Sequence, residues 1–359
     1  MNMKLVGMCL VTLTLGYSML GCADAYHNES TPAGRLVPSR LLPVPSDVSR
    51  ELQDSIRQAA SAPDSLGSIP ATPDEWRAAI AMYEKPEQVR EHVEAIKEKF
   101  PVHVTAGTMA GIKVYVVNPM AGAERSGRRA FVYVHGGAYI SGAGEAGLDE
   151  AILIAYHTGM KVISVDYRMP PDSPFPAAVD DSVAVWKEVI RECKPANVGL
   201  GGTSAGGGLA LAVVLRLKEL KLPLPGAIYA GTPWADLTNS GDSTAVNDHV
   251  DSALSGGNEW LLAAGRWYAG GHDMRDPLIS PVFGDFSKFP PTILLTGTRD
   301  FLLSDTVRVH RKLRLAGVEA NLHVFEAMSH ADYATLPDSP ESREAYREIA
   351  LFLDKHLGR

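Results

Sequence analysis

The sequence predicts an α/β protein: a mostly parallel, doubly wound sheet with helices on both faces and a helical cap. Downstream of Val102, short β-branched runs alternate with longer stretches of helical period, the pattern of strand–helix–strand crossovers. Several runs are apolar at every position, as in Phe131-Val132-Tyr133-Val134, which fits a strand buried on both faces. The chain has 359 residues and is 45% hydrophobic, enough for one large core or two small ones. Its 34 basic and 42 acidic residues give a net charge of −8, so no basic field exists to gather nucleic acid.

The N-terminus reads as an export segment over residues 1–21. Lys4 supplies a positive start and residues 5–20 are mostly apolar, shorter than the roughly 20 apolar residues of a membrane span. Two processing routes fit. Met19-Leu20-Gly21-Cys22 is similar to a bacterial lipobox, which would leave an acylated Cys22 as a lipid anchor in the periplasm or cell envelope. Ala23-Asp24-Ala25 offers ordinary cleavage and a secreted chain starting at Tyr26. The three cysteines are Cys9, Cys22 and Cys193; no disulfide framework is expected, and Cys193 reads as a buried thiol. Residues 22–48, with Pro32, Pro38, Pro43 and Pro45, read as a tether.

Three amphipathic stretches follow, at 49–61, 73–83 and 86–100, with Pro73 and Pro86 in first-turn positions. Their sparse apolar residues fit a contribution to the cap within 49–100. The catalytic domain is expected over 101–359. Its strands are expected at 112–117, 130–135, 161–166, 198–202, 227–230, 292–297 and 322–325, and its helices at 149–157, 177–192, 205–220, 304–316 and 340–357. Ser339, Pro340, Glu341 and Gly358 punctuate the last helix. The interval 236–272 breaks the alternation with one helix at 258–269 and reads as a further cap segment.

Gly202-Thr203-Ser204-Ala205-Gly206 fits G-x-S-x-G, and it falls between an expected strand and an expected helix. Such a turn thrusts its serine outward while the helix N-terminus aims free N–H groups at any anion forming there. His135-Gly136-Gly137-Ala138 follows another strand, as does an HGGG-type loop that stabilises an oxyanion. The N–H groups of Gly136, Gly137 and Ala205 are the candidate donors. A serine hydroxyl needs a base, and the base an orienting acid. Asp300 sits just past a strand's carboxyl end, where it suits the acid better than Asp305, a charge in the next helix's first turn. His330 lies on a loop after the last strand and is the candidate base. His310 and His323 fall inside elements, His356 suits a helix terminus, and His272 precedes the acid. Neither H-E-x-x-H nor paired Cys/His spacing is present, so no metal is expected. No nucleotide loop is complete, so no cofactor is expected either.

Together these pieces resemble the bacterial hormone-sensitive-lipase-like (family IV) carboxylesterases of the α/β-hydrolase superfamily, in their GTSAG branch. Asp166-Tyr167-Arg168-Met169-Pro170-Pro171, Phe175-Pro176-Ala177-Ala178 with Asp180, and Asp276-Pro277-Leu278-Ile279-Ser280-Pro281 are similar to further motifs of that family. The resemblance implies an α/β-hydrolase fold and hydrolysis of small-molecule esters with short to medium acyl chains. It also implies a cap built partly from the N-terminus. Ala138 departs from the third glycine of HGGG, Thr203 stands where many relatives carry Asp, and Tyr333 where Phe is frequent. A lactone hydrolase would use the same site. A non-catalytic binding protein on this scaffold would be expected to lose the serine or the histidine.

Overall fold

A computed structural model describes residues 34, 37–60, 68–121 and 129–358. Residues 42–359 form one compact unit. The expected export segment, Cys22 and the alternative start at Tyr26 lie outside the described residues.

Eight strands form a single sheet: β1 (Val102–Met109), β2 (Ile112–Pro119), β3 (Ala130–Val134), β4 (Lys161–Val165), β5 (Val198–Thr203), β6 (Ala227–Gly231), β7 (Thr292–Gly297) and β8 (Ala320–Phe325). Their order is β1-β2-β4-β3-β5-β6-β7-β8. The β1–β2 and β2–β4 pairs are antiparallel, and all pairs from β4 to β8 are parallel. The fully apolar strands serve two cores by alternation. Ala130, Val132 and Val134 face one core, and Phe131 and Tyr133 face the other. Such period-two sorting is what a sheet covered on both faces imposes.

The helices divide accordingly. On the Val132 side lie α5 (Ala177–Glu192), α6 (Ala205–Glu219) and α9 (Leu303–Leu315). Val179, Val183, Trp186 and Val189 of α5 recur at helical spacing and are buried there. On the Phe131 side lie α1 (Arg50–Ala59), α3 (Pro86–Lys99), α4 (Asp149–Thr158) and α11 (Pro340–His356). Burying each large side chain there contributes about 1.5–3 kcal/mol. The helices α2 (Pro73–Tyr83), α7 (Ser243–Val246), α8 (Asn258–Ala269) and the single turn α10 (Asp332–Thr335) complete the described set.

The structure departs from expectation at several points. β1 escaped the sequence reading because only Val102 of its eight residues is fully buried, so an edge strand leaves no apolar pattern. α7 adds a short helix to the interval 236–272. Cys193 is half-buried rather than buried. The end of the expected tether is docked: Arg299 Nη2 donates to the Pro43 carbonyl at 2.8 Å, and Val44 and Val48 pack against the core.

Two pieces cover the carboxyl edge of the sheet. Thr72 and Glu75 close a reciprocal capping box at the start of α2. The Trp76 ring of α2 then meets Trp260 of α8 edge-on, with centroids 5.3 Å apart. The α2–α3 turn reaches inward, where the Glu84 carboxylate accepts the Gly142 N–H. α1 lies elsewhere, with the Ser49 N–H donating to Glu341 Oε1 at 2.8 Å at the head of α11.

Candidate active site

Four parallel strands deliver their carboxyl ends to one place, the usual position of a site in such sheets. β5 leads into Ser204, β3 runs into His135, β7 leads to Asp300, and β8 to the loop carrying His330.

Ser204 sits between β5 and α6 with φ 62° and ψ −126°, a strained conformation for a residue with a side chain. Its surroundings over-determine it. The Ser204 N–H donates to Gly231 O at 2.9 Å, and its carbonyl accepts the Trp234 and Gly208 N–H groups at 2.9 and 3.0 Å. The flanking glycines are required by close approach. A Cβ on Gly202 or Gly206 would stand 2.0 or 2.1 Å from the Val134 carbonyl oxygen.

His330 Nε2 lies 2.9 Å from Ser204 Oγ. Its Nδ1 lies 3.1 Å from Asp300 Oδ1 and 3.0 Å from Thr232 Oγ1. The hydroxyls of Thr232 and Thr296 both donate to Asp300 Oδ2, and the Leu302 N–H donates to Oδ1 at 2.9 Å. With those hydroxyl protons committed, the imidazole proton belongs on Nδ1. Nε2 is left free to accept from Ser204.

Electrostatics reinforce this tautomer. Burial opposes ionisation of Asp300, but the hydrogen bond and charge of His330 and the threonine hydroxyls hold its pKa below the ordinary 3.8. Burial likewise opposes a charged His330. The hydrogen bond and charge of Asp300, with the charges of Asp251 and Asp332, outweigh it and hold the imidazole above the ordinary 6.5.

The loop after β3 lies against the serine. A Cβ on Gly136 would be 3.4 Å from Ser204 Cβ, and Gly137 has φ +100°. The Gly137 carbonyl accepts from the N–H groups of Ile140 and Ser141 at 3.0 and 2.9 Å and from Ser141 Oγ at 3.0 Å. That turns the loop tightly. His135 braces it from behind. Its Nδ1 donates to Gly136 O at 2.8 Å, and its ring stacks on Tyr167 at 4.1 Å. Burial drives the His135 pKa down to about 4, so this imidazole is a neutral strut. Ala205 opens α6 directly after Ser204. A cavity of about 510 Å³ joins Ser204, Gly136, Gly137 and His330 to Glu84, Leu254, Trp260 and Leu261 from the covering pieces.

Of the six sequence-selected site residues, Ser204, Gly136, Gly137 and His330 line that cavity, while Asp300 is buried behind His330 and Ala205 is buried at the start of α6. The rejected groups lie apart. His310 is on α9, His323 on β8, and His356 Nε2 is 3.3 Å from Glu319. Asp305 stands in the first turn of α9, as the sequence predicts. It is buried and accepts the Ala235 and Asp236 N–H groups at 2.9 and 2.8 Å, and burial pushes its carboxyl up to about 8.

Several residues of the site were not anticipated. Thr232 follows β6 with no motif around it. Glu150 is buried beneath the elbow, where it accepts from Thr203 Oγ1 at 2.6 Å, Tyr229 OH at 2.7 Å and Tyr133 OH at 3.1 Å. Tyr333 OH joins the same network 2.9 Å from Thr203 Oγ1. Thr203 and Tyr333, two of the three departures noted in the sequence, thus meet in one network: Thr203 donates to the buried Glu150 carboxylate, and Tyr333 OH joins it through Thr203 and Tyr229. A single Glu in the first turn of α4 gives no sign of this.

A family profile described as the α/β hydrolase fold matches residues 131–334, more than half of the chain. An acetyl-hydrolase of Streptomyces hygroscopicus is 33% identical over 235 residues, covering 65% of this chain and 78% of that protein. The crystal structure of esterase E25 superposes with a TM-score of 0.86 at 41% identity, covering 90% of this chain and 99% of that one. A solved esterase of the bacterial hormone-sensitive lipase family gives a TM-score of 0.73 at 29% identity, covering 86% and 99%.

Proposed function

This chain belongs to the α/β hydrolase fold family, and on that premise we propose that it is a serine carboxylesterase. It hydrolyses esters of short to medium acyl chains through Ser204, His330 and Asp300. The observation that carries the reading is the continuous path from Ser204 Oγ through His330 to Asp300, opening on a cavity lined by Gly136 and Gly137. The names of its relatives, acetyl-hydrolase and esterase, support ester chemistry. A cavity of about 510 Å³ suits a small substrate better than a long acyl chain.

In the first half-reaction His330 Nε2 takes the Ser204 proton as Oγ bonds to the ester carbonyl carbon. The carbonyl electron pair moves to oxygen, and that oxyanion is held by the N–H groups of Gly136, Gly137 and Ala205. Asp300 remains ionised and stabilises the imidazolium. Collapse breaks the bond to the alcohol oxygen, which leaves with the proton from His330. Water then attacks the acyl-enzyme with His330 again as base, releasing the acid and restoring Ser204.

The test is hydrolysis of p-nitrophenyl esters from acetate to dodecanoate, with Ser204→Ala as the blank. The expected result is an optimum among the shorter chains and a loss of kcat on the order of 10³- to 10⁶-fold in the variant. Turnover that survives the substitution would overturn the assignment. A folded protein silent on every ester would direct the search to lactones.

We further propose that the chain is exported and held at the cell envelope by acylated Cys22. The support is Lys4, the apolar run and Gly21-Cys22. Labelling with radioactive palmitate should vanish in Cys22→Ala; an unlabelled wild type beginning at Tyr26 would favour ordinary cleavage.

A further inference from the structure

The interval between β6 and β7 also reaches underneath the reacting groups. Asp251 lies within it and is 1% exposed. Its Oδ2 accepts two backbone N–H groups, that of Phe301 at 2.7 Å and that of His330 at 3.0 Å. Its Oδ1 accepts the Ala253 and Leu254 N–H groups at 2.8 and 3.0 Å. Phe301 is the residue after Asp300, and the second donor is the amide of His330 itself. One oxygen therefore bridges the loop of the acid and the loop of the base.

Neighbouring contacts run the same way. The Ser252 N–H donates to Ser329 Oγ at 3.0 Å, and Asn247 Nδ2 donates to the Asp300 carbonyl at 2.8 Å. Ser243 Oγ donates to the Phe301 carbonyl at 2.7 Å. The loops after β7 and β8 also meet directly, with the Arg299 N–H donating to Met328 O at 3.1 Å and the Ala327 N–H to Thr298 Oγ1 at 2.8 Å. Those bonds join residues that precede Asp300 and His330, whereas Asp251 holds the amide of His330 itself and the one that follows Asp300. The distance between His330 Nδ1 and Asp300 depends on how their backbones are held.

Resting on the reading of Ser204 as nucleophile, we propose that Asp251 is a positioning residue of the triad. Its carboxylate sets the acid loop against the base loop, so that His330 meets Asp300 and Ser204 together. Ionised, it accepts four N–H groups at once, and such charge-assisted bonds are shorter and stronger than neutral ones. No uncharged side chain of its size offers four acceptor positions. Asn keeps the shape, but its amide would turn two N–H donors toward the N–H groups of one pair.

Phosphonylation of Ser204 by an alkyl fluorophosphonate tests this without depending on ester turnover. Ser204 Oγ bonds to phosphorus, fluoride leaves, and His330 takes the serine proton. Labelling is followed by mass spectrometry, with a melting curve recorded for each variant. In Asp251→Ala the first-order constant kinact should fall about 10²-fold, the effect of a displacement near 1 Å, while KI is unchanged. Asp251→Asn should show a smaller fall of the same kind, and it decides the matter if the alanine variant does not fold. A folded variant with wild-type kinact, or one whose loss lies in KI, overturns the proposal. A wild type that does not label would instead overturn the reading of Ser204 beneath it.

Discussion

Gly137 has φ +100°, and a Cβ there would stand 2.2 Å from the Ser141 carbonyl oxygen. No rotamer relieves such a contact, because the obstacle is backbone. Gly137→Ala should therefore re-aim the N–H groups offered to the oxyanion. Losing one such donor costs about 10²- to 10³-fold in kcat, which steady-state kinetics on a p-nitrophenyl ester would measure. The expected effect on KM is small, because the neutral carbonyl leans on those donors less than the oxyanion does. His330 supplies a second prediction at this scale. Only the neutral imidazole can accept the Ser204 proton, and its pKa is held above 6.5 by Asp300, Asp251 and Asp332. The acid limb of kcat/KM should accordingly have its midpoint above 6.5; a midpoint below that value would contradict the electrostatic picture.

Among the elements, α2 and α8 lie far apart in the chain and meet through Trp76 and Trp260. Trp76 is 1% exposed, and truncating a buried Trp costs about 3–5 kcal/mol. Trp76→Ala should lower the melting temperature and free α2 from α8. Trp260 lines the cavity while Trp76 does not. The kinetic signature should thus be a raised KM with kcat nearly kept, since the loops of Asp300 and His330 are braced by other groups. A selective loss of kcat would mean that α2 supports the triad itself. Local patterning made the helices readable: Pro73, Thr72 and Glu75 mark the start of α2 within four residues. What α2 touches is set by a partner more than 180 residues away, which no local pattern encodes.

For the whole molecule, one imidazole pulls stability and activity in opposite directions. The folded-state pKa of His330 is raised, so its contribution to stability is fully present below the unfolded value near 6.5 and is lost as pH rises through the folded value. Asp300 has a lowered pKa. Its contribution is present above the unfolded value near 3.8 and is lost as pH falls through the folded value. The pair stabilises most between those limits, whereas turnover needs the neutral imidazole above them. The gap in melting temperature between wild type and His330→Gln should be wider at mildly acidic pH than at alkaline pH. A gap that does not change with pH would mean that His330 and Asp300 are not coupled as described.

The sequence by itself determined the alternation of strands and helices, the Ser204 elbow and the glycine loop after β3. It also determined which acid and which histidine stand at strand ends. Each of these is written over a few consecutive residues, because strand burial, a strained turn and a helix start constrain local side chains. The tertiary structure alone decided which groups surround them. Glu150 reaches Thr203 across 53 residues, and Asp251 reaches Phe301 and His330 across 50 and 79. Those carboxylates sit in a helix and a loop with no motif of their own. Their partners are backbone N–H groups and hydroxyls, found throughout any chain. Only folding, by removing water from around them, makes a particular carboxylate the necessary acceptor.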